Sequence, residues 1–181
     1  MLSMSKQFVC CYNGEIYNHH YLRKQIINYN KNILLKGNSD TETIVNYIEI
    51  FGIEKFLANA SGMFALSIFD IKKKKLYLAR DRFGEKPLYY GFINDEFIFS
   101  SILKPIIYHP EFSRDISENS LFNYFQYGYV PQSSSIYKGI KKLLPGNYII
   151  FNLENNNIEK KTYWNFFDSE ILFFIKILET S

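Results

Sequence analysis

The sequence predicts an α+β domain. Two segments near the start carry apolar residues at helical spacing, and a strand-rich middle follows whose short connections favour antiparallel hairpins. A chain of 181 residues, 47% hydrophobic and 22% charged, is enough for one domain with a sizeable core and excludes a disordered polymer.

Phe8 to Tyr12 reads as a strand that enters a tight turn at Asn13-Gly14, and a helical pattern follows from about His20 to Ile27, with Leu22 and Ile26 on one face. After Ile33 to Leu35, Ser39 stands three residues before Glu42. That is capping-box spacing ahead of Ile44, Tyr47, Ile48 and Phe51, so a second helix begins near Asp40. Met63 to Phe69, Lys75 to Ala79, Leu88 to Phe92 and Glu96 to Ser100 read as strands. Helical signals return at Leu103 to Tyr108 and Glu118 to Tyr127. A last hairpin spans Asn147 to Trp164 and turns at Asn155-Asn156-Asn157, residue types that tolerate positive φ.

Composition narrows the function classes. A net charge of +3, from 21 basic and 18 acidic residues, gives no large cationic field, so neither nucleic acid nor an anionic membrane is expected as a partner. The densest basic run, Lys72 to Lys75, fits a solvated tip between two strands. Cys10 and Cys11, neighbours on a strand, point to opposite faces and cannot build a disulfide framework; a reducing, cytoplasmic location fits best. The apolar stretch Ile171 to Leu178 is too short to span a bilayer and is broken by Lys176. His19, His20 and His109 show no metal-ligand spacing, and no metal is expected.

Tyr12-Asn13-Gly14-Glu15-Ile16-Tyr17-Asn18 is the most informative segment. A strand delivering Asn and then Gly can aim a side-chain amide and a backbone N–H at one point, the two donors an oxyanion hole requires, although Asn-Gly is also simply a good turn. Taken with Ser39-Asp40-Thr41-Glu42, Ser61-Gly62-Met63-Phe64-Ala65 and the run from Ala79 to Tyr90 (Ala-Arg-Asp-Arg-Phe-Gly-Glu-Lys-Pro-Leu-Tyr-Tyr), it resembles the glutaminase domain of glutamine-dependent asparagine synthetases. Gly128-Tyr129-Val130-Pro131, Ile136 to Ile140, Leu144-Pro145-Gly146 and Tyr163-Trp164 extend the resemblance over about residues 7 to 164.

The resemblance implies a class II amidotransferase: an N-terminal-nucleophile hydrolase-like four-layer αββα sandwich of antiparallel sheets, here incomplete at the N-terminus. It implies that Asn13 and Gly14 donate to the oxyanion formed when a thiolate attacks the glutamine amide. It also implies that Asp40 binds the α-ammonium of glutamine and that Glu15 lines the same turn. Read without the family, Asp40 is a helix-capping acid and Glu15 a side chain reaching back to a backbone N–H. Arg80, Asp81, Arg82 and Lys86 suit a structural loop whose alternating charges pair among themselves.

The family's nucleophile is an N-terminal cysteine whose own α-amine moves the proton, and here residues 1 and 2 are Met and Leu. The arginine that grips the glutamine carboxylate has no counterpart before Gln7. Cys10 and Cys11 have no free α-amine and are poor substitutes. No Ser-Gly-Gly loop is found, so this chain should hold no cofactor; ATP and magnesium belong to the synthetase domain of the intact enzyme, where a homodimer is also implied. Ile102 stands where the family usually has Glu. The expectation is a partial amidotransferase domain over 1–164, with 165–181 a tail or the start of a linker to a missing synthetase domain, inactive alone. The alternatives are a non-catalytic glutamine-binding or partner module, or the glutaminase part of a sugar-acid amidotransferase.

Overall fold

The structure, a computed structural model, describes residues 1–33, 35–131 and 133–167. Most of the expected tail lies outside the described residues. The elements in order are β1 (Phe8–Ile16), α1 (His19–Tyr29), α2 (Asp40–Phe51), α3 (Ile53–Asn59), β2 (Gly62–Asp70), β3 (Lys75–Arg80), β4 (Tyr89–Ile93), β5 (Glu96–Ser100), α4 (Leu103–Ile107), α5 (Glu118–Tyr127), β6 (Ile140–Lys142), β7 (Asn147–Asn152) and β8 (Asn157–Thr162).

The strands form two antiparallel sheets, one ordered β1-β2-β3-β7-β8 and the other β5-β4-β6. Alternation along each strand then builds the layers. Phe64, Leu66, Ile68, Ala79 and Tyr148 face Leu22, Ile26, Ile44, Ile48 and Phe56 of the first three helices. Their sequence neighbours Ala65, Leu78 and Ile149 point the other way, onto Leu88, Tyr90 and Leu143. Behind the small sheet, Ile93 and Ile140 pack on Ile106 of α4. Helices, sheet, sheet, helix: the four-layer α+β arrangement implied by the resemblance is the observed one. None of the described helices is long and apolar enough to cross a membrane.

The structure corrects the reading of Asn13-Gly14. They are not a turn; β1 runs on to Ile16, with Asn13 opposite Ala65 and Gly14 opposite Phe64, and the chain turns only at Tyr17-Asn18. Pairing with β2 overrides the local turn preference of the dipeptide. Sequence periodicity also misses α3 and β6. Seven and three residues are too few to establish a period, and α3 follows directly on the helix-ending Gly52. The terminal hairpin is as read, with Asn156 at φ 55° in the turn between β7 and β8. The basic tip also lies where expected, and Asp70 accepts the Lys72 and Lys73 amides there at 3.1 Å each.

The charges after β3 do not pair among themselves. Fully buried Asp81 accepts the backbone N–H groups of Phe64, Phe83, Glu85 and Lys86 at 2.9 to 3.2 Å. Arg80, also buried, donates to the carbonyls of Lys86, Leu143 and Gly84. Carboxylate and guanidinium are satisfied by backbone because a turning loop brings unpaired amides and carbonyls within their reach. Asp81→Ala would strand four amides in the interior. Urea denaturation should show it destabilised by about 3–5 kcal/mol, against under about 1 kcal/mol for Lys72→Ala at the exposed tip.

Candidate functional site

β1 is the edge strand, and its alternation sorts both side chains and backbone groups. Cys10, Tyr12 and Ile16 turn toward the helices, whereas Cys11, Asn13 and Glu15 lie on the opposite, exposed face. Phe64, opposite Gly14, spends its N–H and its C=O on Asp81. Gly14 therefore sits in a non-hydrogen-bonded pair, with its amide directed away from β2 to the sheet's outer edge.

That outer edge is occupied at both ends. The Cys10 N–H reaches the Met1 carbonyl at 2.7 Å and the Ser3 N–H reaches the Phe8 carbonyl at 2.9 Å. At the other end the Ile16 N–H donates to Asp40 at 3.2 Å. Between these ends, the N–H groups of Tyr12 and Gly14 have no partner among the described residues. Gly14 owes its identity to crowding: a Cβ there would strike the Met63 carbonyl oxygen and lie 2.7 Å from the Phe64 Cα.

Asn13 projects toward the small sheet and donates from Nδ2 to Ser101 Oγ at 2.9 Å. Together with Cys11, Ser67 and Ser100 it lines a cleft of about 190 Å³ between β1 and the end of β5. The Asn13 amide, the Gly14 N–H and the Asp40 carboxylate thus line a single strand edge. Glu15 is exposed on β1, opposite Met63, and its side chain makes no hydrogen bond among the described residues. It lies on the same edge strand rather than in a turn, and it caps nothing.

Asp40, the first residue of α2, is half-buried and is not the helix cap. One carboxylate oxygen accepts the Tyr12 hydroxyl at 2.9 Å as well as the Ile16 N–H; the other accepts its neighbour's N–H, from Thr41, at 2.7 Å. Burial, and then this hydrogen bond to Asp40, pushes the Tyr12 phenol well above its ordinary value. Capping falls instead to Ser39, whose Oγ accepts the Glu42 N–H at 3.2 Å. Tyr12 and Ser101 were not legible as site residues. Strand alternation could have placed Tyr12 on the helix side, but nothing local joins Ser101 to a residue so distant in sequence.

Neither thiol is poised as a nucleophile. Cys10 is buried, and desolvation pushes it up to about 12, which disfavours the thiolate. Cys11 is exposed in the cleft without a base beside it. His19 and His20 stack on each other at 3.9 Å, and His109 meets Glu96 at 3.2 Å, away from this edge.

The fold is thus a four-layer αββα sandwich with the Asn13 amide, the Gly14 N–H and the Asp40 carboxylate close along β1. The chain belongs to the glutamine amidotransferase domain family, which it matches over residues 1–164. It is 37% identical over 158 residues to a putative glutamine-hydrolysing asparagine synthetase 2 of Methanocaldococcus jannaschii, covering 86% of this chain and 30% of that protein. It is 34% identical over 172 residues to asparagine synthetase 2 of Bacillus subtilis, covering 92% of this chain and 22% of that one. The chain therefore spans a minor part of the length of these relatives. Among solved structures, the glutamine phosphoribosylpyrophosphate amidotransferase of B. subtilis shares the fold, with a TM-score of 0.60 and 19% identity over 91% of this chain and 31% of that one.

Glu42, just inside α2, fixes the segment that leads to Asp40. It accepts the Lys36 and Gly37 amides at 2.7 and 3.0 Å and pairs with Arg23 at 3.3 Å. Burial raises its pKa, but these two amides and Arg23 outweigh burial and hold the carboxyl below its ordinary value. A depressed folded-state pKa stabilises the fold above the unfolded value of about 4.3 and loses that contribution as pH falls through the folded value. Glu42→Gln should therefore lower the melting temperature at pH 7. The gap from the parent should close progressively below about pH 4, as followed by circular dichroism.

Proposed function

We propose that this chain supplies the oxyanion-stabilising and ammonium-binding part of a glutaminase site in an asparagine-synthetase-type amidotransferase. The observation that carries the reading is the Gly14 N–H, left open at the edge of β1 between the Asn13 amide and the Asp40 carboxylate. Glutamine would lie along this edge, its α-ammonium at Asp40 and its side-chain amide toward Asn13 and Gly14, with Glu15 beside it. A thiolate attacking the amide carbon places negative charge on the carbonyl oxygen, and two fixed donors stabilise that charge more than they stabilise the neutral amide. Collapse of the tetrahedral intermediate releases ammonia and leaves a thioester for water to hydrolyse.

The attacking cysteine lies outside this sequence. The ammonia would pass to a carboxylate, aspartate in the first instance, activated by ATP and magnesium in a synthetase domain that is likewise not part of this chain. Cytoplasmic chemistry suits these substrates. Residues 1–164 alone should bind glutamine weakly and leave it intact.

Ammonia release from glutamine by the purified chain tests the reading and is expected to stay at the buffer background. Release that disappears in Cys11→Ala would overturn the assignment of the nucleophile to another segment. In a protein carrying these residues behind a cysteine-bearing N-terminal segment, Asn13→Ala should lower kcat about 100- to 1000-fold with little change in KM. A purely structural Asn13 would leave kcat near its starting value.

A further inference from the structure

The two sheets also end together at the edge opposite the glutamine half-site, where β8 closes the large sheet and β6 the small one. Alternation on β8 separates its charges. Glu159 and Lys161 share the helix-side face, where Lys161 pairs with Glu159 at 3.3 Å and with Glu54 at 3.5 Å. Lys160 turns to the other face, and its Nζ lies 5.5 Å from the ring centroid of buried Tyr90. Lys141 of β6 faces it across two adjoining hollows of about 290 and 280 Å³, with Tyr90 lining both.

Lys142, next along β6, turns to the other face of the small sheet, its Nζ 5.5 Å from the Tyr89 ring centroid. Among the described residues no carboxylate pairs with Lys141 or Lys160, although Lys161 next door takes two. Two cations therefore border a concave space without a counter-charge, an arrangement that concentrates anions.

We propose that this cleft binds a phosphate-class anion, a phosphate or diphosphate group either free or carried on a nucleotide, held between Lys141 and Lys160 with Ser133 at its rim. Lysine ammonium groups act as point charges suited to phosphate, and the cleft offers no planar arginine fork that would select a carboxylate. A hollow of about 290 Å³ lies near the lower end of small-molecule sites, larger than one phosphate needs and sized for a diphosphate.

The test uses the full chain at fixed ionic strength, with pyrophosphate and ADP as probes in calorimetry and thermal-shift measurements. Saturable binding should weaken at least tenfold in Lys141→Gln/Lys160→Gln, whose side chains lie at the surface. It should hold in Lys72→Gln/Lys73→Gln, which removes the same charge elsewhere. ADP binding tenfold tighter than pyrophosphate would identify a nucleotide as the source, and equal affinities a free anion. The proposal is overturned if the two double variants lose binding alike, if Lys141→Gln/Lys160→Gln binds like the parent, or if a glutamate-rich peptide binds where pyrophosphate does not.

Discussion

The carboxylate of Asp81 joins the start of β2 to the loop that follows β3. A fully buried anion is costly unless its lone pairs are filled, and four backbone amides fill these. One of the four belongs to Phe64, at the start of β2, and the other three belong to the loop after β3. The Asp81 backbone adds to the tie, donating to the Phe64 carbonyl and accepting the Gly146 amide ahead of β7. Because Phe64 is occupied on this side, its face toward β1 is left without ladder bonds. The orientation of the Gly14 amide follows from a carboxylate on the far side of the neighbouring strand.

Arg80 ties the two sheets in the same manner. It extends from the end of β3 to the Leu143 carbonyl, which follows the small sheet's last strand, while its own carbonyl accepts the Tyr163 hydroxyl at 2.7 Å. Burial pushes both the guanidinium and this phenol away from their charged forms. The motif from Ala79 to Tyr90, so prominent in the sequence, therefore serves as the joint of the sandwich and lies apart from the open edge of β1.

The sequence carried the elements with strong periods or clear punctuation: α2 behind its Ser39 cap, α5 with both ends, and the hairpin around Asn156. It pointed to Asn13, Gly14, Glu15 and Asp40 as candidate site residues, though chiefly through a family pattern; by local chemistry alone Asn13-Gly14 is a turn and Asp40 a cap. What it could not carry is long-range. That Asp40 meets Tyr12, that Asn13 meets Ser101, and that Arg80 ignores its acidic neighbour in favour of distant carbonyls all depend on which strand lies beside which. Local propensity is silent on that pairing.

Gly14 lies opposite Phe64 and Gly62 opposite Ile16 in the β1–β2 ladder, and each has room for no side chain because the other strand's backbone fills the space. Gly14 acts as a register lock. If β1 slid by one residue, Asn13 would turn into the helix-side core, the Gly14 amide would enter the ladder, and a residue bearing a Cβ would be forced into the place of Gly14. Such a slip would cost only a few ladder bonds elsewhere in the sheet, but here it meets hard-sphere contact. Gly14 thereby holds this edge of β1 to its register through the side chain it lacks, while its amide stays directed outward.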